Sequence, residues 1–86
     1  MAEKKVIVRN KTGLHARPAA LFVQKANQFK SDISIVKGTQ DVNAKSIMGV
    51  MSLGASQGSE ILIKAKGEDA QQAVNALAKL LDSLTD

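Results

Sequence analysis

The chain has 86 residues, 44% of them hydrophobic, with no cysteine, one histidine and one proline. That is enough for one modest core in a single domain spanning 1–86, and it excludes a disulfide framework, a thiolate metal site and a multi-histidine zinc site. The formal charge of +4 is uneven: residues 1–30 carry seven cations against one acid, and residues 60–86 carry five acids against three cations.

The basic N-terminal third surrounds His15 and favours an anionic ligand or an acidic partner surface. Nucleic acid is the rival reading. The only aromatics, Phe22 and Phe29, fall in or just after the first helix, so no base-stacking platform is visible and no direct nucleic-acid contact is expected. The first residues, Met1-Ala2-Glu3-Lys4-Lys5, lack the apolar core of a signal peptide. No apolar run reaches membrane-spanning length. A cytoplasmic protein with no membrane insertion is expected.

In chain order, Lys5-Val6-Ile7-Val8-Arg9 reads as a first strand. A polar turn, Asn10-Lys11-Thr12-Gly13, leads into Leu14-His15-Ala16-Arg17-Pro18-Ala19. Proline is tolerated only in the first turn of a helix, where its missing N–H costs no hydrogen bond. A helix is therefore predicted from about Ala16 to Asn27, with His15 at its N-terminus. Ala19, Phe22, Val23 and Ala26 recur at helical spacing and form the core face. Arg17, Ala20, Leu21 and Gln24 make a second stripe that starts beside His15, a candidate docking rim.

Asp32 to Lys37 reads as a second strand, Gly38-Thr39-Gln40 as a turn and Asp41 to Ala44 as a third strand, together a hairpin. Ser46 suits an N-cap and Gly54 a C′ position, so a helix of about two turns fits between them. Ile47, Val50 and Met51 share one face while Met48 points elsewhere. By spacing, the two methionines are expected to fill core rather than form an adaptable surface. Glu60 to Lys66 alternates Ile61, Ile63 and Ala65 with Leu62, Lys64 and Lys66, a fourth strand. Asp69 with Gln72 looks like a capping box. Ala70, Ala73, Val74, Leu77, Leu80, Leu81 and Leu84 then trace the apolar stripe of a last helix.

The order βαββαβα predicts an α+β, open-faced two-layer sandwich: four antiparallel strands with three helices on one face and Lys64 and Lys66 turned to water. At the first helix start, a phosphoryl group on the His15 ring would meet the positive end of the helix dipole. Backbone N–H groups of Ala16 and Arg17 and the planar guanidinium of Arg17 are suited to its oxygens. No carboxylate adjoins His15 in sequence, so a hydrolytic dyad or triad has no visible second member.

The motifs GLHARPAA and KSIMGVMSLG, at this separation in a chain of this length, resemble those of the HPr family, the histidine-containing phosphocarriers of the bacterial phosphoenolpyruvate-dependent sugar phosphotransferase system. The resemblance covers essentially the whole chain and takes the Gram-positive form. It implies a phosphoryl carrier rather than an enzyme, using neither cofactor nor metal. It implies that His15 accepts phosphoryl on Nδ1 from Enzyme I and hands it to IIA domains of sugar permeases, with Arg17 steadying the phosphohistidine. It further implies regulatory phosphorylation of Ser46 by HPr kinase/phosphorylase, the product serving as co-repressor with a catabolite-control repressor in carbon catabolite repression. Partner docking would involve Ala16, Arg17, Ala20, Leu21, Ile47, Met48, Met51 and Gly54. TGLHARPAALFVQ and VNAKSIMG also resemble Crh, a regulatory paralogue with glutamine at the motif histidine; here His15 is present.

Overall fold

A computed structural model describes residues 1–84, leaving the last two positions of the expected 1–86 domain outside the description. The elements run β1 (Ala2–Ile7), α1 (Arg17–Ala26), β2 (Asp32–Lys37), β3 (Gln40–Asn43), α2 (Ile47–Ser52), β4 (Glu60–Lys66) and α3 (Ala70–Ser83). The strands form one sheet in the order β1-β4-β2-β3, and every pairing is antiparallel. β4 enters between β1 and β2, which therefore run parallel to each other with α1 as their crossover.

Alternation along the strands sorts the two faces. Val6, Ile33, Ile35, Ile61, Ile63 and Ala65 turn inward and are buried. The three helices cover that face: α3 packs on β1, β4 and β2, α2 on β3, and α1 against α2 and α3. Pro18, Ala19, Phe22, Val23 and Ala26 bury the inner stripe of α1. Ala70, Ala73, Val74, Leu77, Ala78 and Leu81 bury that of α3, with Leu80 and Leu84 packed at the edge. On the open face Lys64 reaches Asp41 at 3.1 Å and Lys66 is exposed. The expected layout is the one observed.

Three local readings change. β1 starts at Ala2, three residues before the predicted strand, because its register is set by β4: Ala2 faces Ala65 and Ile7 faces Glu60. Charged Glu3, Lys4 and Lys5 are tolerated there because β1 is an edge strand, where charge blocks unwanted pairing. Val8 continues the pairing past the end of β1, donating to the carbonyl of Ser59, the residue before β4, at 2.9 Å. The hairpin turn is tighter than expected: Lys37 faces Gln40, so only Gly38 and Thr39 form it, with Gly38 at φ +62°.

Asp69 is the third. It precedes α3 but makes no side-chain cap there, so the capping-box reading does not hold. Its carboxylate instead accepts from the backbone N–H of Lys30 at 2.9 Å, from the N–H of Ser31 at 3.0 Å and from the Ser31 hydroxyl. Those bonds, led by the Ser31 hydroxyl and the Lys30 N–H, hold the Asp69 carboxyl below its ordinary pKa. The residue ties the start of α3 to the entry of β2. A side chain at φ −104°, ψ 24° is not in the extended conformation from which N-caps reach back to their own helix.

Candidate functional site

The His15 loop is built from buried anchors on either side of an exposed imidazole. Leu14 is buried before it and Pro18 after it, while His15, Ala16 and Arg17 are exposed. Asn10, itself buried, fastens the turn ahead: its side-chain amide donates to the Gly13 carbonyl at 2.9 Å and approaches the Thr12 hydroxyl at 3.4 Å. The Gly13 N–H closes the turn onto the Asn10 carbonyl at 3.2 Å. Sequence reading gave Asn10 only a turn residue's part. An asparagine at the head of a polar turn was the available signal, since its side chain readily bonds backbone groups a few residues on.

Across from this turn lies the loop that leaves α2. Leu14 N–H donates to the Ala55 carbonyl at 3.0 Å. Gly13, at φ +65°, sits so close that an added Cβ would come within 2.7 Å of Ser56 Cα and closer still to the Ala55 carbonyl oxygen. The two loops are thus bonded backbone to backbone.

α1 begins at Arg17, with Ala16 at the N-cap in the unusual conformation φ 52°, ψ −123°. Among the described residues Ala16 is the one non-glycine with positive φ. No side chain caps the helix, and Pro18 offers no N–H. The N–H groups of Arg17 and Ala19 therefore stand without acceptors in the first turn, beside His15. Among the described residues the Arg17 guanidinium also has no ion-pair or hydrogen-bond partner. Three donor groups and the positive end of a helix dipole are left free within the four residues that follow His15, an arrangement complementary to an anion.

Ser46 is the N-cap of α2, with extended φ −113°, ψ 120° and its hydroxyl accepting from the Gly49 N–H at 3.1 Å. Gly54 follows the C-cap Leu53 at φ +69° and donates to the Met51 carbonyl at 3.3 Å. Both fulfil the capping roles read from the sequence. Gly54 adjoins Ala55 and so lies at the His15 end of α2. Ser46 lies at the other end, eight residues earlier, roughly 12 Å along a helix axis.

The helix between them turns Val50 and Met51 inward and Met48 away, as the spacing predicts, but not Ile47. Val50 is fully buried and Met51 packs on the core, but Ile47 is 47% exposed and Met48 80% exposed. Core filling thus describes Met51 and not Met48, and Ile47 leaves the buried face. With only six residues, α2 touches β3 and α1 along a narrow stripe, which Val50 and Met51 are enough to fill. On α1, Ala20 and Leu21 are half-buried, and Leu21 stands outside the core cluster. With exposed Ala16 and Gly54 they continue the apolar rim. Of the two aromatics, Phe22 is fully buried and Phe29 packs on the core. Among the described residues no helix is long and apolar enough to cross a membrane.

An open-faced sandwich presenting a single imidazole ahead of an uncapped helix defines a small anion-carrying domain. The chain belongs to the HPr family: residues 2–83 match the family model described as the PTS HPr component phosphorylation site. It is 59% identical over 78 residues to the HPr-like protein Crh of Bacillus subtilis strain 168, covering 91% of this chain and 92% of that one. It is 48% identical over 83 residues to the phosphocarrier protein HPr of Treponema pallidum strain Nichols, covering 96% and 94%. The crystal structure of HPr-C-His from Thermoanaerobacter tengcongensis superposes with a TM-score of 0.94 at 54% identity, covering 96% of this chain and 93% of that one.

Proposed function

We propose that His15 is the phosphoryl acceptor of a phosphotransferase chain, taking the group from phosphorylated Enzyme I and passing it to IIA domains of sugar permeases. The observation that carries this reading is the lone exposed imidazole ahead of an uncapped helix, with the Arg17 and Ala19 N–H groups and the Arg17 guanidinium unpartnered beside it. In the transfer a lone pair of the ring, at Nδ1 by family resemblance, attacks phosphorus. A P–N bond forms at His15 as the bond to the donor breaks. These unpartnered donors are suited to the phosphoryl oxygens. The dipole adds only ~0.3–1 kcal/mol at an exposed site, which suits a group held briefly and given away. No carboxylate or second nucleophile is needed, since the partners supply the other half of each exchange.

Ser46 is read as the regulatory site. Phosphorylated by HPr kinase/phosphorylase, it would cap the same helix with more charge, and the modified surface would serve a catabolite-control repressor. The identity to Crh proteins favours this second function, and a chain acting only through Ser46 is the alternative reading. His15 discriminates the two. Incubation with phosphoenolpyruvate, Enzyme I and a IIA domain tests the proposal: label should pass through this chain to the IIA domain, and none should pass through His15→Ala. Onward transfer by that variant would overturn it.

A further inference from the structure

Met48 is an unusual side chain in this molecule. It projects 80% exposed from α2, with Ile47 beside it at 47%. Its neighbour on the same helix, Met51, is half-buried against the core. Among the described residues only Met1, at 80%, is an equally exposed large apolar side chain, and Met1 lines a groove with Asp32, Lys45 and Lys66. A thioether this exposed, on the apolar patch read as a docking surface, is chemically addressable in a way that the core is not.

We propose that Met48 is a reversible oxidation site through which hydroperoxides weaken partner docking on α2, an inference that rests on the docking reading of this surface. In the step the sulfur lone pair takes one peroxide oxygen. The S–O bond forms as the O–O bond breaks, and the departing oxygen takes up the proton from the transferred oxygen and leaves as water from hydrogen peroxide, or as an alcohol from an organic hydroperoxide. The thioether loses two electrons and the peroxide gains them. The product is polar and chiral where the interface expects an adaptable apolar chain. A sulfoxide carried into an apolar contact leaves its oxygen desolvated, whereas in the free protein water solvates it. The fold is therefore untouched and only association suffers. Met51 is shielded by packing and reacts more slowly. Sulfoxide reductases of both stereochemical classes restore the thioether.

The experiment treats the full chain with hydrogen peroxide, maps added oxygen by peptide mass spectrometry, and measures kcat/KM for phosphorylation by phosphoenolpyruvate and Enzyme I. Met48 should gain oxygen before Met51. The melting curve should not move. kcat/KM should fall roughly tenfold, equivalent to about 1.4 kcal/mol, and recover after reductase treatment. In Met48→Leu, whatever its starting rate, the treated-to-untreated ratio should stay near one although Met1 still oxidises. Oxidation of Met51 ahead of Met48, an unchanged kcat/KM in the Met48-oxidised protein, or an equal loss in Met48→Leu would each overturn the inference. An untreated chain that accepts no phosphoryl group is a separate result, which overturns the docking reading and the inference standing on it.

Discussion

Leu14 and Ala55 are joined by a backbone hydrogen bond of 3.0 Å, and through it the loop that carries His15 is held against the loop that leaves α2. Gly13, one residue earlier, makes the closeness obligatory. Gly13→Ala combines a left-handed backbone with a Cβ driven into the Ala55–Ser56 backbone. The expected loss is about 2–5 kcal/mol from strain and overpacking together, with slower phosphoryl acceptance because His15 is displaced. Gly38→Ala is the control, having a similar φ but open space around it, and should cost only about 1–2 kcal/mol. Urea unfolding of both variants checks the difference.

Arg17 should matter to transfer and not to folding. It is exposed at the first position of α1, where a cation faces the positive end of the dipole and gains nothing structurally. Arg17→Ala is expected to change stability by less than about 0.5 kcal/mol while reducing the rate of phosphoryl transfer. Stopped-flow transfer kinetics beside a thermal melt separate the two effects.

The Asp69 carboxylate gives the fold an acid-sensitive clasp. Its pKa is lowered in the folded state, first by the Ser31 hydroxyl and then by the Lys30 N–H. Such a group contributes stability that is whole above its unfolded value of about 3.9 and is lost as pH falls through the lower folded value. Asp69→Asn should melt lower at neutral pH and lose less on acidification below about pH 4 than the unsubstituted chain. Parallel melting curves for the two proteins across that range would contradict the clasp.

Ser46 caps α2 and is also the proposed regulatory site. Its hydroxyl bond to the Gly49 N–H predicts that Ser46→Ala loses about 1 kcal/mol, while Ser46→Asp keeps a competent cap. The aspartate adds negative charge roughly 12 Å along the helix from the His15 end, near the reach of screening at physiological salt. Ser46→Asp should therefore slow phosphorylation by Enzyme I at low ionic strength, with the difference shrinking as salt rises. Equal rates at low salt would remove the electrostatic part of the account.

Most of the architecture was legible because periodicity reports burial directly. The inward residues of β4 and the stripes of α1 and α3 follow periods of two and 3.6 and are buried as that spacing requires, Leu80 and Leu84 at the edge of the core being only partly so. The start of β1 was not legible, because Glu3 and Lys4 carry no β signal and only the register with β4 makes them part of a strand. Asp69 misled for a related reason: local spacing offered a cap, and a partner 38 residues away in sequence claimed the carboxylate. Asn10 and Ala55 reveal their positioning parts only when two distant loops meet. Ile47 shows the limit of short helices: spacing put it on the face of Val50 and Met51, yet a six-residue helix turns only a narrow stripe inward and leaves it 47% exposed.

The central claim is that His15 carries phosphorus. The direct measurement is mass spectrometry of the intact chain after incubation with phosphoenolpyruvate and Enzyme I, with fragmentation to locate the group and a brief acid treatment to test its lability. One acid-labile phosphoryl group on His15, absent from His15→Ala, is the expected result. An unmodified chain, or a phosphoryl group that persists in His15→Ala, would contradict the account.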